Sequence, residues 1–465
     1  MASSDDGPPS KVPLALACGA TFLAFLDVMI TNLAVPDIAH EFDVGLTSLT
    51  WVVTLYTILF AALLAPAGGL ADSLGRQRLF AAGAATFTLA SLLAAAAPHY
   101  SALLAARALQ GVGAALLIPA SLGFVLADTP PARRPAAIGV WTASAALAAA
   151  IGPALGGVVV DTLDWRWLFC INLPIGVWLY VAGRRLRVAP VATGRAPDRL
   201  GTVLLTAAAA LLVLALSQGQ DWGWTDWRTL ASAAGALIAG YWTLSRSHRH
   251  PRPAIDTSLW SIRAYAGANL VSALLGLALY ATLLLGVLYL VNVWEYSQLR
   301  AGLAMTPGAV ASTVAGLAIG RLRRPPSART LVAVGGLVLG ATCAALALWL
   351  PTDPHFLAAW LPGGIGLGVG IGAFSVGASS AAALAVEPQK FAAATGLNIA
   401  ARQLGGAAGV AVLGLILTSD TNGYAAVYWF AAASAFAGSV AALLLTAPAP
   451  QPVHSQSLAT AGDPS

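Results

Sequence analysis

The stretch VPLALACGATFLAFLDVMITNLAV, residues 12–35, decides the fold. It is apolar and long enough to cross a bilayer as a helix. Asp27 in this stretch is the only acidic residue that lies inside any long apolar run of the chain. A carboxylate in hydrocarbon is costly, so it needs a partner or a function. The candidate partner is Arg107, in the fourth apolar run, and the pair predicts a proton-linked membrane transporter.

The composition of the whole chain is that of a polytopic membrane protein. Of the 465 residues, 58% are hydrophobic and 9% are charged, whereas soluble domains are about 25% charged. The first run is too long for the core of a signal peptide. Cys18, Cys170 and Cys343 all lie in apolar runs, so we expect neither a disulfide framework nor a metal site.

Fourteen apolar runs are long enough to span a bilayer, at about 18–25 residues each. We therefore predict an all-α membrane protein with 14 transmembrane helices. Runs 9 and 12 exceed the length of a simple span and must tilt, break or extend beyond the membrane. In order, the runs are 13–35, 49–71, 79–97, 101–126, 137–160, 168–184, 200–217, 228–245, 264–293, 302–320, 330–350, 355–386, 392–417 and 424–446.

The basic residues predict the orientation. With the N-terminus inside, only Arg166, Arg228 and Arg300 of the 24 Lys and Arg residues fall in outer loops, and only Arg107 and Arg402 lie in the membrane. All others lie inside, as the positive-inside rule requires. Both termini are therefore expected in the cytoplasm. The net charge of +5 follows from these loops and does not indicate nucleic-acid binding.

The two ends of the chain contain an internal repeat. The segment RRPAAIG at 133–139 resembles QKFAAATG at 389–396, and an offset of 257 residues also relates Gly111-Val112-Gly113 to Gly368-Val369-Gly370. Duplicated halves around a central site are a common transporter plan. We predict two six-helix bundles, 13–184 and 264–446, joined by a linker, 185–263, that contains two inserted helices, 7 and 8. The flanking segments are a cytoplasmic tail at 1–12 and a polar, Pro-rich cytoplasmic tail at 447–465, expected to be disordered.

Asp27 and Arg107 are predicted to lie at similar depths. At about 1.5 Å per residue, each is roughly 12–13 Å below the outer end of its run. Desolvation favours the protonated form of a carboxylate and a neighbouring cation favours the ionised form. Movement that separates the pair would therefore change proton affinity. Arg does not release its proton, so Asp27 is the candidate proton carrier. The alternative is a static ion pair that locks helix 1 to helix 4.

Other intramembrane polar residues are candidates for substrate contact. Thr31 and Asn32 lie one turn beyond Asp27, and Gln110 and Gly111 lie one turn beyond Arg107. These residues either bind substrate or satisfy the ion pair. Arg402, near the middle of run 13, either binds an anionic group or bonds helix-end carbonyls at the interface between the halves, and we favour the interface role.

Several motifs resemble one transporter family. GGLADSLGRQR (68–78) resembles the cytoplasmic loop signature of the major facilitator superfamily, and RALQGVGAA (107–115) is similar to its proton-coupling motif. AAAIGPALGG (148–157) resembles its antiporter motif. LDVMITNLAVPDI (26–38) and DWRWLFCINLPIG (164–176) resemble the fourteen-helix drug:proton antiporter (multidrug efflux) branch. The resemblance covers nearly the whole membrane region and implies the major facilitator fold.

The resemblance also implies roles for individual residues. Asp72 and Arg76 would form an inner latch between helices 2 and 11 in the outward-open state. The repeat of this signature, GLAIGRLRRPPSAR at 316–329, lacks the acidic residue, so only the N-terminal latch is expected to be intact. The complete predicted sets are, for the latch, Gly69, Asp72, Gly75, Arg76 and Arg78, and, for a flexible, tightly packed helix 5 at the interface of the halves, Gly152, Pro153, Gly156 and Gly157.

The predicted function is a proton-driven secondary antiporter that exports hydrophobic drugs or natural products by alternating access. The proton gradient would drive it without a cofactor, from a bacterial cytoplasmic membrane, as a monomer in the lipid bilayer. Substrate would bind between the halves, with Tyr289, Asn292, Phe374 and Ser375 as further lining candidates. One carboxylate and two arginines would suit neutral, monocationic or anionic amphiphiles better than dications.

Three alternatives compete with export. A solute importer or proton symporter of the same fold would carry the same intramembrane residues. A non-transporting membrane receptor would need neither Asp27 nor matched halves. An intramembrane enzyme is not expected, because the sequence contains no His-Glu-x-x-His, no Gly-x-Ser-x-Gly and no paired membrane carboxylates. It also contains no P-loop motif, so ATP is not the expected driver.

Overall fold

The described part of the chain forms fourteen long helical units. The computed structural model describes residues 11–186, 198–251, 253–322, 324–419 and 423–445. The first six units are α1 (Lys11–Phe42), α2 (Leu46–Leu74), α3 (Arg76–Ala95), α4 (Tyr100–Asp128), α5 (Arg134–Thr162) and α6, in two segments (Arg166–Cys170 and Asn172–Arg185). The others are α7 (Arg199–Trp222), α8 (Trp227–Arg249), α9 (Arg263–Asn292), α10 (Gln298–Arg321), α11 (Ala328–Trp349), α12 (Leu361–Leu384), α13 (Phe391–Ser419) and α14 (Gly423–Ala441).

These units correspond in order to the fourteen predicted runs. Among the described residues, thirteen are long and apolar enough to cross a membrane. The fourteenth, α8, has 23 residues, enough for a span, but is less apolar. Its Leu237, Ile238, Tyr241 and Trp242 are exposed, as expected of a helix that faces lipid. The predicted C-terminal tail, 447–465, and residues 1–10 of the predicted N-terminal tail lie outside the described residues.

Two six-helix bundles, α1–α6 and α9–α14, repeat the same helix contacts. In the N-terminal bundle α3 packs on α4, α1 on α5 and α2 on α4. The C-terminal bundle repeats each contact, with α11 on α12, α9 on α13 and α10 on α12. Each bundle buries its own apolar core. The repeat in the sequence therefore corresponds to a repeat in the structure.

Glycine contacts between the bundles follow the same symmetry. Gly139 of α5 lies against the backbone of Gly316 in α10, and Gly396 of α13 lies against the backbone of Leu64 in α2. Gly139 and Gly396 are related by the offset of 257 residues, while Leu64 and Gly316 are related by an offset of 252 residues. These two helix crossings between the bundles are therefore equivalent under one pseudo-two-fold operation.

The same pair of offsets relates crossings inside the bundles. Gly111 of α4 lies against the carbonyl of Tyr56 in α2, and Gly368 of α12 lies against the carbonyl of Gly308 in α10. Small residues at such crossings let two helix backbones approach closely in a membrane. Gly111, a predicted cavity residue, thus occupies a position set by helix packing.

The inserted helices α7 and α8 pack against each other and cover one side of the interface between the bundles. α7 contacts α2 of the N-terminal bundle and α13 of the C-terminal bundle. Gln220 of α7 donates to the carbonyl of Ala411 in α13 at 3.1 Å. The insertion therefore lies against the α2–α13 crossing and leaves the repeated bundles intact.

We expect Gly396→Ala to destabilise the protein. A Cβ at this position would overlap the carbonyl oxygen of Leu64, a backbone atom that cannot rotate away. Overpacking of this kind costs about 1–3 kcal/mol. The midpoint of thermal unfolding, measured by fluorescence-detected size-exclusion chromatography of the detergent-solubilised protein, should fall.

Gly240→Ala is the matched control. Gly240 lies in α8, and a Cβ there would meet nothing within 4 Å. Alanine is the better helix former by about 0.5–1 kcal/mol, so this variant should unfold at the same temperature as wild type or higher. Equal midpoints for the two variants would contradict the close crossing of α2 and α13.

Candidate functional site

A sealed polar cluster surrounds Asp27 inside the N-terminal bundle. Asp27 and Arg107 are both 0% exposed, and Arg107 Nη1 lies 2.5 Å from Asp27 Oδ2. The other carboxylate oxygen, Oδ1, accepts from Gln110 Nε2 at 3.0 Å and from Asn172 Nδ2 at 2.7 Å. Three donors on two oxygens are a favourable environment for an ionised carboxylate. The predicted neighbours Asp27 and Arg107 are in direct contact.

The Arg107 guanidinium is held by three helices. Its Nε donates to the carbonyl of Val52 in α2 at 2.9 Å, and its Nη1 also donates to Gln110 Oε1 at 2.8 Å. The Tyr56 ring lies 4.6 Å from the guanidinium carbon, within cation–π distance. Tyr56 in turn donates its hydroxyl to the carbonyl of Ala24 in α1 at 3.1 Å. Arg107 therefore connects α1, α2 and α4.

Two members of the cluster were absent from the sequence prediction. Asn172 begins the second segment of α6, directly after the helix break at Ile171, and its amide reaches Asp27. Ser91 of α3 accepts from Gln110 Nε2 at 2.8 Å. Asn172 lies within the motif DWRWLFCINLPIG and was detectable as an amide in an apolar run. Ser91 has no comparable signal, because isolated serines are common in apolar runs.

The other two residues predicted near Asp27, Thr31 and Asn32, form hydrogen bonds within their own helix. The Thr31 hydroxyl donates to the backbone carbonyl of Asp27 at 2.6 Å and is buried. Asn32 is exposed on α1, and its amide donates to the carbonyl of Val28 at 3.1 Å. Of the predicted cavity residues on α1 and α4, Gln110 satisfies the ion pair and Asn32 presents an accessible side chain.

The predicted lining residues of the C-terminal bundle lie in different environments. Phe374 is 0% exposed, and its ring faces Gly336 of α11 and Gly438 of α14 inside the bundle core. The prediction that it lines a cavity is therefore wrong for this conformation, because other helices enclose the ring. Ser375 beside it is also buried, whereas Asn292 at the end of α9 is exposed.

Tyr289 belongs to an aromatic cluster instead of a cavity wall. Its ring is buried beside Trp294, Trp360 and Tyr424, with ring centroids 5.2–6.3 Å away. Its hydroxyl donates to the carbonyl of Pro351 at 3.0 Å. These contacts fix the last turn of α9 to neighbouring helices. The prediction that Tyr289 contacts substrate is not supported in this conformation.

The predicted latch joins the two bundles at one end of the interface. Asp72 lies 2.6 Å from Arg76 Nη2, and its Oδ2 accepts from the backbone amide of Ala393 at 2.8 Å. Arg76 also donates to the carbonyls of Gly123, at 2.8 Å, and Pro388. A carboxylate at the N-terminus of α13 is favourably placed, because the first amides of a helix lack partners within the helix.

The helix assigned to the latch by resemblance was wrong. The resemblance pointed to helix 11, but Asp72 and Arg76 contact the start of α13 and the turn before it. Gly75 allows this arrangement, since its φ of +108° permits the tight turn between α2 and α3. Gly69 lies beside Ala254 of the linker, and Arg78 is exposed.

A second contact ties the linker to the same end of α13. Lys390 Nζ lies 2.5 Å from Asp256 Oδ2, and Asp256 also caps the short helix Thr257–Ser261. Burial acts to raise the pKa of Asp256, but hydrogen bonds from Lys390 and Ser258 outweigh it and hold this pKa below its ordinary value. The pair is therefore charged at neutral pH and weakens as the pH falls through the lowered pKa.

The predicted glycine and proline motif of α5 divides its contacts between two helices. Gly152 and Gly156 lie against α1, at Met29 and Leu33. Pro153 and Gly157 face α10 of the other bundle, at Gly302 and Leu299. The motif therefore packs against its own bundle through Gly152 and Gly156. It packs against the other bundle through Pro153 and Gly157.

Arg402 lies on α13, half-way between the latch and the opposite end of the helix. Its Nη2 donates to Ser379 Oγ of α12 at 2.9 Å. Its Nε is buried without a hydrogen-bond partner among the described residues. No described contact joins it to a helix-end carbonyl, so the favoured interface role lacks the bonds that it required.

Comparisons with known proteins agree with this architecture. The sequence pattern of the Major Facilitator Superfamily matches residues 17–410. The chain is 32% identical over 437 residues to the methylenomycin A resistance protein of Streptomyces coelicolor, covering 92% of this chain and 90% of that protein. It is 34% identical over 403 residues to the multidrug resistance protein Stp of Mycobacterium tuberculosis, covering 86% of this chain and 74% of that protein.

A third relative and a solved structure extend the comparison. The cephamycin export protein CmcT of Amycolatopsis lactamdurans is 33% identical over 422 residues, covering 88% of this chain and 85% of that protein. The crystal structure of the human organic anion transporter MFSD10 (TETRAN) has a TM-score of 0.65 at 16% identity and covers 95% of this chain and 100% of that one. This likeness confirms the predicted fold. By sequence and by fold, the chain belongs to the Major Facilitator Superfamily.

Proposed function

We propose that the chain is a proton-driven antiporter that exports hydrophobic drugs or natural products by alternating access. Its relatives are named as resistance or export proteins for methylenomycin A, multiple drugs and cephamycin. Export of a toxic compound is a direct route to resistance, so these relatives favour export over import or symport. The proposal assigns transport without a catalytic step, powered by the proton gradient.

The observation that carries the proposal is the sealed ion pair of Asp27 and Arg107. The pair is fully buried, and its donors match an ionised carboxylate. Protonation of Asp27 would remove the charge that holds Arg107 and would add an O–H donor. Removing one partner of a buried pair leaves the other charge uncompensated. The arginine must then rearrange, which links proton binding to helix movement.

Asn172 is suited to support both protonation states. Its Nδ2 donates to the carboxylate, and its Oδ1 is a buried acceptor without a partner among the described residues. Rotation of the amide would turn this acceptor toward a protonated Asp27. An amide offers both a donor and an acceptor at one site, so Asn172 is a positioning residue for the proton.

The latch supports the alternating-access part of the proposal. Under the topology predicted from the basic loops, the end of the interface that contains Asp72 and Arg76 is cytoplasmic. There α2 crosses α13 at Gly396, and Asp72 binds the first amides of α13. These contacts hold α2 and α13 together at this end in the present conformation. Opening it would require Asp72 to release those amides.

We further propose a monomer in the bacterial cytoplasmic membrane with both termini on the cytoplasmic side. The orientation rests on the loop charges, and the repeated bundles already provide a complete interface within one chain. The partners are then an amphiphilic small molecule, protons and lipid.

Asp27→Asn should abolish proton-driven efflux while the protein still folds and inserts. The amide is nearly isosteric with the carboxylate but cannot carry a proton. The measurement is dye transport by proteoliposomes in response to an imposed pH gradient. Asp37→Asn is the matched control, since Asp37 is exposed on the same helix, and it should retain efflux. Full activity of Asp27→Asn would reject the coupling role.

Asn172→Leu should raise the pH of half-maximal efflux by about one unit. Loss of a hydrogen bond to a charged group is worth about 1.5 kcal/mol, and weaker support of the ionised carboxylate raises its proton affinity. The test is the pH profile of efflux. Asn398→Leu is the matched control, because it removes a buried amide that donates to the carbonyl of Ala268. This variant should leave the pH of half-maximal efflux unchanged. The same shift in both variants would contradict a specific role for Asn172.

A neutral antibiotic should be exported in preference to a dicationic dye of similar size. Runs 9–14 of the C-terminal bundle contain no Asp or Glu, so a second positive charge would lack a partner there. Efflux of the two compounds is compared in a pump-deficient bacterial host that expresses the chain. Preferential export of the dication would contradict the charge argument.

A further inference from the structure

The C-terminal bundle contains a polar group that the proton site does not use. Arg402 donates to Ser379, and the neighbouring Gln403 accepts a hydrogen bond from the hydroxyl of Tyr280 in α9. Arg402, Gln403 and Tyr280 are each partly accessible, unlike the sealed cluster around Asp27. We name Ser379, Arg402, Gln403 and Tyr280 the α13 polar site.

The charge of Arg402 has no internal counter-ion. Runs 9–14 contain no acidic residue. Asp27, the carboxylate inside run 1, is occupied by Arg107, Gln110 and Asn172 and is fully buried. Among the described residues no carboxylate lies within ion-pair distance of Arg402. A cation inside a membrane protein normally pairs with an anion or serves a transport pathway.

The repeat does not contain this charge in its N-terminal copy. The offset of 257 residues that relates α4 to α12 and α5 to α13 places Ala145 at the position equivalent to Arg402, and Leu122 at the position equivalent to Ser379. In the N-terminal bundle the corresponding helices, α4 and α5, are also in contact. The polar pair Arg402 and Ser379 therefore has no polar counterpart at the equivalent positions of the N-terminal bundle.

The α13 polar site lies on helices that meet the other bundle. α13 packs on α2 and α4 of the N-terminal bundle as well as on α9 and α12 of its own. Arg402 extends from α13 to α12, and Tyr280 extends from α9 to α13. A guanidinium offers five donors in a fixed planar fork that matches a carboxylate. In this structure Nη2 has an acceptor, while the buried Nε has none among the described residues.

We propose that Arg402 binds the anionic group, a carboxylate, of an amphiphilic substrate. The proposal rests on the proposed function and deepens it, since it names an acidic amphiphile as the preferred cargo. Ser379 holds one arm of the guanidinium, and the carboxylate takes the remaining donors. Gln403 and Tyr280 supply further hydrogen-bonding groups next to it. The apolar part of the substrate lies along the helices at the interface between the bundles.

The test compares one probe in two charge states. Dansylaminoundecanoic acid and its methyl ester share a fluorescent, apolar scaffold and differ in one negative charge. Their binding to the purified full chain in nanodiscs is followed by dansyl fluorescence. Wild type should bind the acid more tightly than the ester by roughly tenfold or more, the effect of one charge-assisted hydrogen bond.

Arg402→Gln should remove this preference and leave ester binding unchanged. Arg402→Lys keeps the charge without the planar fork and should retain part of the preference. Arg321→Gln is the matched control, because Arg321 is an exposed arginine at the end of α10, and it should bind both probes as wild type does. Folding of each variant is checked by its elution profile and by ester binding.

Several results would overturn the inference. Wild type that binds both probes equally, or neither, has no anion site of this kind. If Arg402→Gln still binds the acid more tightly than the ester, the anion site lies elsewhere. If it loses affinity for the acid and the ester equally, Arg402 has a structural role. Because binding is measured without a proton gradient, it is independent of coupling. A chain that binds the acid at Arg402 but exports neither probe would contradict the proposed function alone.

Discussion

The buried contact between Asp27 and Arg107 constrains the whole N-terminal bundle. Both side chains are fully buried, and neither charge is tolerated there without the other. Gln110 and Asn172 occupy the other carboxylate oxygen, so α1, α4 and α6 are held in one relative position. Protonation of Asp27 would remove one charge of the pair and leave Arg107 uncompensated, so the arginine would have to move. A proton is the smallest ligand that makes such a change.

Helix α2 connects this pair to the interface between the bundles. Near its start, the Val52 carbonyl and the Tyr56 ring hold the Arg107 guanidinium. At its other end, Asp72 binds the amides of α13. A rigid helix can couple contacts at its two ends. In the proposed mechanism, movement of Arg107 would displace α2 and with it the contact between Asp72 and α13.

Local patterns in the sequence predicted the spans, the repeat and the Asp27–Arg107 pair. Hydrophobicity and loop charge depend only on the local sequence of each segment. An isolated charge in an apolar run is also recognisable from the local sequence. Ser91 and Asn172 were not predicted as members of the cluster. Their contact with it depends on how α3 and α6 are rotated about their axes. Phe374 and Tyr289 were assigned to a cavity for the same reason, since depth along a helix does not define its buried face. The latch was assigned to the wrong helix because a resemblance carries a motif but not its long-range partner.

The two bundles share a backbone plan but not their charges. Glycine crossings recur at matched positions, as at Gly139 and Gly396, whereas Arg107 and Arg402 are matched by Gly364 and Ala145. Symmetric crossings allow the bundles to rock about their common interface with similar packing at either end. Symmetric charges would give both bundles the same ligand. The asymmetry instead seals a carboxylate–arginine pair in one bundle and leaves an unpaired arginine in the other, so that two chemically different ligands can act on one rocking movement.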